Sequence, residues 1–254
     1  MCYTAVSITR QLVKYARHRS DDKNQISLLT KELEEITRHL IPLHIADAYA
    51  HPTLLVFTNT KPFTPQLFHW GLIPAWIKNK ADALKIANQT LNARVESIFE
   101  KPAYRNSAAH KRCLIYLDAF YEYHHYNGKT YPFHISHLNN EPLAIAGLWE
   151  EWADPETGEV VATVSLITTK ANALLKKIHN NPKQNEARMP LILPKEKQGE
   201  WLNMNNKNSL GKLLNPHPEH LLQYHTVKKL KGINAVGNSP MAEEPHEYTD
   251  LKFD

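Results

Sequence analysis

Apolar positions along the chain fall into short alternating or continuous runs, punctuated by Gly, Pro and Asn, and these predict more strands than helices. The opening MCYTAVSIT reads as a strand. From about Asp21 to Leu40 the apolar residues recur at helical spacing with many charges between them, which predicts an amphipathic helix. TLLVFTN from Thr53 is a buried strand, and FHWGLIPAW, residues 68–76, places Gly71 and Pro74 between the indoles of Trp70 and Trp76 as a turn. KNKADALKIANQT predicts a helix, and LNARVESIFEKPAYRNSAAHKR mixes extended and helical signals. RCLIYLDAFYEYHHY is strand-like and meets TYPFHISHL through Asn127-Gly128, a hairpin turn. PLAIAGLWEEW and VVATVSLITTKA are further strands across the turn-rich ADPETGE, and the tail runs from the helical KEKQGEWLN to an extended piece. Strands joined by hairpins and interrupted by helices predict an α+β fold. Its centre is a curved, largely antiparallel sheet, a pseudo-barrel, flanked by helices.

No Pro/Gly/Ser linker, internal repeat or low-complexity tract divides the 254 residues, so residues 1–254 are expected to form one domain. Lys and Arg number 30 against 26 Asp and Glu, a mildly basic balance that permits nucleic acid without demanding it. No run reaches the roughly 20 apolar residues of a membrane helix, and no apolar signal core with a cleavage site opens the chain. The expectation is a cytoplasmic monomer. With only Cys2 and Cys113, neither a disulfide framework nor a four-thiolate metal site can form within the chain. His124, His125, His134 and His137 are the remaining zinc candidates. Neighbouring histidines on a strand point to opposite faces, so neither metal nor other cofactor is expected.

Cys2 matters through its position. Removal of Met1 would expose one residue carrying both an α-amine, titrating at about 7.7–8.0, and a thiol, near 8.5. Such a 1,2-aminothiol condenses with an aldehyde to a Schiff base and closes a thiazolidine ring. The competing reading is a small hydrophobe at the start of a strand.

Six ordered blocks carry a resemblance. They are Met1-Cys2; His69 to Trp76, HWGLIPAW; Asn92 to Glu96, NARVE; Arg112-Cys113-Leu114 through Asp118 to Glu122, DAFYE; Ala146 to Trp149, AGLW; and Ile178-His179 with Arg188-Met189-Pro190. Together they resemble the SRAP family, named for SOS-response-associated peptidase, whose members crosslink to abasic sites in DNA. The resemblance implies a DNA-damage-response enzyme with lyase-like chemistry. Cys2 would link covalently to abasic sites in single-stranded DNA through a thiazolidine, shield them and release them by reversal. Glu122 and His179 would move protons beside Cys2, and Asn92 would hold its amine. Arg94 and Arg188 would grip phosphate, and Trp70 would support an unstacked base. Core packing is the expectation for Trp76, and pairing of Arg94 with Glu96 or another carboxylate is the competing reading for that arginine. Two other functions stay open: a thiol (auto)peptidase using Cys2, and a non-catalytic protein that binds single-stranded or modified DNA.

The chain departs from the family pattern in three places, one of them Ala119 and Tyr123 where the pattern has a glycine and a tryptophan. Tyr3-Thr4 replaces an early Gly-Arg, and NNPKQNEA separates His179 from Arg188 where a single residue is commoner.

Overall fold

The computed structural model describes residues 2–7, 12–204, 211, 213 and 215–253. Met1 and the Ile8-Thr9 end of the expected first strand lie outside the described residues. The chain runs β1 (Thr4–Ser7), α1 (Leu12–Arg19), α2 (Lys23–Thr37), β2 (Leu43–Asp47), β3 (Thr53–Thr58), β4 (Gln66–Trp70), α3 (Lys80–Gln89), β5 (Asn92–Arg94) and α4 (Arg105–His110). It continues with β6 (Arg112–Leu117), β7 (Ala119–Tyr126), β8 (Lys129–His137), β9 (Leu143–Ala153), β10 (Val160–Lys170), α5 (Ala173–Ile178), β11 (Arg188–Pro190), α6 (Lys195–Leu202) and β12 (Leu222–Thr226).

Two sheets share one interior. The first is antiparallel, in the order β12-β8-β7-β1-β2. In the second, β10, β4, β3, β6 and β9 pair in turn, and β9 pairs back onto β10 to close a five-stranded barrel. Only the β10–β4 pairing within that ring is parallel. β5 lies parallel to β10 beyond the ring, and β11 lies antiparallel to it. The expected curved, largely antiparallel sheet is therefore a mixed barrel with a separate antiparallel sheet beside it, flanked by helices, in an α+β architecture. Apolar side chains of both, among them Ala5, Phe120 and Ile135 from the sheet and Val56, Ile115 and Val164 from the barrel, meet in one cluster. A second cluster packs α1, α2, α4 and α6 against the barrel strands. None of the helices among the described residues is long and apolar enough to cross a membrane.

Local chemistry accounts for the joints. Asn127 and Gly128 both take positive φ, 48° and 73°, as a two-residue hairpin turn between β7 and β8 requires. Asp22 and Asn79 cap α2 and α3, each side chain accepting the N–H three residues on. After Trp70 the chain turns at Gly71, with φ +121°. A β-carbon there would stand 2.7 Å from His51 Nδ1 and 2.9 Å from the Ala87 carbonyl, so only glycine fits. Gly147 in β9 leaves room for Ile115 and Cys113, whose side chains would lie within 2.8 Å of an added β-carbon.

Candidate active site at the junction of sheet and barrel

Cys2 precedes β1, the strand held between β7 and β2, and is wholly buried in the cluster shared by sheet and barrel. Its S–H donates weakly to the Thr4 carbonyl at 3.7 Å. From the barrel side, Asn92 at the start of β5 donates its amide N–H to the Cys2 carbonyl at 2.8 Å. The Tyr104 hydroxyl donates to the Asn92 carbonyl at 3.2 Å and steadies that short strand. Asn92 thus reaches the backbone of Cys2 at its carbonyl rather than at its amine.

Glu122 comes from β7. Alternation along this strand sends Phe120 into the cluster that contains Cys2 and Tyr121 into the one on the other side of the sheet. Glu122 shares the face of Phe120 and is 4% exposed, so it is not a hairpin carboxylate facing water. Its Oε2 lies 2.7 Å from His179 Nδ1. His179 ends α5 as its C-cap residue, is buried, and places Nε2 2.6 Å from Gln184 Oε1. Cys2, Glu122 and His179, 57 residues apart in the case of the last two, are therefore brought to one place.

Electrostatics give this group its character. Burial first, and the neighbouring Glu122 charge second, push the Cys2 thiol well above its ordinary value. A thiol in that setting is neutral near pH 7 and needs a base at the moment it reacts.

The expected DNA contacts divide. Arg94 is exposed and makes no ion pair among the described residues. It lines a cavity of about 570 Å³ with Lys101, Lys170 and Arg188. Arg188 is 1% exposed, and its guanidinium is held from several sides. It donates to Glu186 at 2.9 Å, to Glu96 at 2.8 Å and to the Thr168 carbonyl at 2.7 Å. Arg188, not Arg94, is the partner of Glu96, and the expectation that Arg188 presents a free fork to phosphate is corrected.

Trp70 is likewise corrected: it is wholly buried, its indole N–H donating to the Leu91 carbonyl at 2.8 Å. Phe68 and Trp70 share the inward face of β4, whose period of two sends His69 outward. The exposed indole is Trp76, at 56%, the one expected to pack. Among the described residues, no group of three or more His, Cys, Asp or Glu side chains is arranged to hold a metal ion. His124, one of the zinc candidates, has Nδ1 against the Lys177 carbonyl, and His134 stacks on His225.

The sequence profile of the SOS response associated peptidase (SRAP) family matches residues 13–234. The chain belongs to this family. Among its relatives, abasic site processing protein YoqW of Bacillus subtilis (strain 168) is 38% identical over 180 residues, covering 70% of this chain and 75% of the relative. Abasic site processing protein HMCES of Xenopus tropicalis is 30% identical over 190 residues, covering 67% of this chain and 54% of its own length. The SRAP chain thus spans about half of that longer relative. An X-ray structure of a Bacteroides thetaiotaomicron protein superposes with a TM-score of 0.81 at 28% identity, covering 97% of this chain and all of the other.

One site residue of this SRAP chain carries no signal in the sequence. Gln184 lies in the NNPKQNEA stretch between His179 and Arg188, and nothing in periodicity or motif distinguishes it from the other polar residues there.

Proposed function

We propose that this protein processes abasic sites, and that Cys2, once freed by removal of Met1, captures the open-chain aldehyde of such a site in single-stranded DNA. The observation that carries the reading is the buried Cys2 with the Glu122–His179 couple on one side and Asn92 on its backbone. The names of the relatives, abasic site processing proteins, point to the same substrate.

The chemistry follows in two steps. The Cys2 amine adds to C1′ of the opened sugar, and the carbinolamine loses one water to give the imine. The thiol then adds across C=N: the C–S bond forms at C1′, and the proton lost by sulfur ends on nitrogen. Glu122 takes that proton or supplies one to the departing water, and reversal runs the same transfers backwards. A neutral thiol suits this route, because free thiolate is needed only as the ring closes. A thiol peptidase relies instead on a thiolate paired with imidazolium; here Glu122 raises the thiol further, and His179 Nδ1 faces Glu122. The exposed Arg94 and nearby Lys101 and Lys170 supply a sequence-independent grip on phosphate. One chain supplies every residue of the site, so a monomer suffices.

The test is a denaturing gel after incubation with single-stranded DNA bearing one abasic site. Protein lacking Met1 is expected to give a heat-resistant, slowly migrating adduct that Cys2→Ala does not give while still binding the DNA. An equal adduct from Cys2→Ala would refute capture through Cys2.

A further inference from the structure

The loop from residue 180 to residue 187 is fastened at both ends. Asn180 exchanges hydrogen bonds with the backbone of His125 in β7, accepting at 2.7 Å and donating at 2.9 Å. At the other end Glu186 pairs with Arg188, and the Ala187 carbonyl accepts from the Ala171 N–H at 3.1 Å. Between these anchors the Gln184 N–H donates to the Asn181 carbonyl, and the Gln184 side chain is delivered to His179 Nε2 at 2.6 Å.

Gln184 meets the ring through Oε1, a carbonyl oxygen that can only accept, so the hydrogen sits on Nε2. In the neutral ring Nδ1 then carries a lone pair, 2.7 Å from Glu122 Oε2. That contact needs one proton between the two atoms. It is held either as carboxylic acid with imidazole or as carboxylate with imidazolium. We propose that Gln184 is a positioning residue that fixes His179 with its hydrogen on Nε2, so that Glu122 and His179 share one proton and Glu122 can both give and take it.

The transfer is balanced. The Oε2–H bond breaks as the Nδ1–H bond forms, and the return restores both. Replacing the Gln184 acceptor by an apolar side chain favours the neutral ring with its hydrogen on Nδ1, donated to Glu122. Glu122 Oε2 would then only accept at that contact and hold no proton there to give. The kinetic consequence rests on the covalent reading given above; the tautomer itself does not.

The experiment separates the two. Protein labelled with ¹⁵N-histidine is compared with Gln184→Leu and with Gln184→Glu, which keeps an acceptor. Imidazole ¹H–¹⁵N correlation spectra identify the protonated nitrogen of His179 without any DNA. Wild type and Gln184→Glu are expected to keep hydrogen on Nε2, whereas Gln184→Leu moves it to Nδ1 in the neutral ring. Adduct formation by Gln184→Leu should slow by roughly tenfold, a part of the 10²–10⁴-fold that positioned proton transfer contributes, and Gln184→Glu should recover most of it. Hydrogen remaining on Nε2 in Gln184→Leu, or absent from Nε2 in the neutral wild-type ring, would overturn the proposal. If the tautomer moves as expected but wild type forms no adduct, the covalent reading fails and the positioning role stands.

Discussion

At the scale of single residues, burial decides what each polar group can do. Cys2 is closed off from solvent and its thiol is held neutral, so alkylation by iodoacetamide at pH 7.5, followed by peptide mapping, should be at least about tenfold slower in the folded protein than in denaturant. Equal rates would contradict the site as described. Glu122→Gln keeps the shape but removes the proton carrier, and adduct formation is expected to fall by about 10²-fold or more, with the melting temperature as the control for folding. The two arginines should separate cleanly. Arg94→Ala is expected to weaken DNA binding and reduce its salt dependence by about one unit of slope while leaving the melting temperature unchanged. Arg188→Ala removes a buried hub, and a loss of about 1–3 kcal/mol of stability is expected. The burial of Trp70 has a local signal in the sequence: Phe68 and Trp70 flank His69, so a period of two puts Trp70 on the apolar face of its strand.

At the scale of elements, the long strands and the hairpin at Asn127-Gly128 were legible because alternation and turn chemistry are local. α1 and β2 were not. α1 has only eight residues and buries Tyr15 and Ala16, too little for an apolar stripe, and β2 is half-buried along most of its length. Closure of the barrel was invisible as well, since the second partner of β9 is a matter of tertiary pairing. Turn residues provide a paired test. Gly71→Ala meets His51 and the Ala87 carbonyl in a positive-φ conformation and should cost at least about 1–3 kcal/mol. Gly199→Ala, in the exposed face of α6 with nothing within 4 Å, should stabilise by about 0.5–1 kcal/mol. Thermal denaturation of both variants decides the matter, and a stabilising Gly71→Ala would contradict the turn as described.

At the scale of the whole molecule, buried histidines set the response to acid. Burial lowers His134 from 6.5 to about 3, and His18 and His217 to about 4. In the unfolded chain these rings protonate near 6.5, while in the fold they stay neutral. Below pH 6.5 the unfolded state therefore binds more protons, and stability falls as pH drops from 6.5 toward 4, being fully present above 6.5. Calorimetry from pH 7.5 to 5 should record this decline, and His134→Phe should make it shallower; an unchanged slope would contradict the assignment. The juxtaposition of Cys2, Asn92, Glu122 and His179 is also a property of the whole fold, because sheet, barrel and α5 each contribute. It was legible only through the family blocks that carry these residues. Gln184, between the blocks that carry His179 and Arg188, had no such signal.

The central claim is covalent condensation at Cys2, and the mass of the adduct tests it most directly. Intact mass spectrometry, with mapping of the N-terminal peptide, should find protein without Met1 plus abasic-site DNA less one water, attached at Cys2. A mass equal to the simple sum, attachment at another residue, or no adduct from protein whose Met1 is verified as removed would contradict the account.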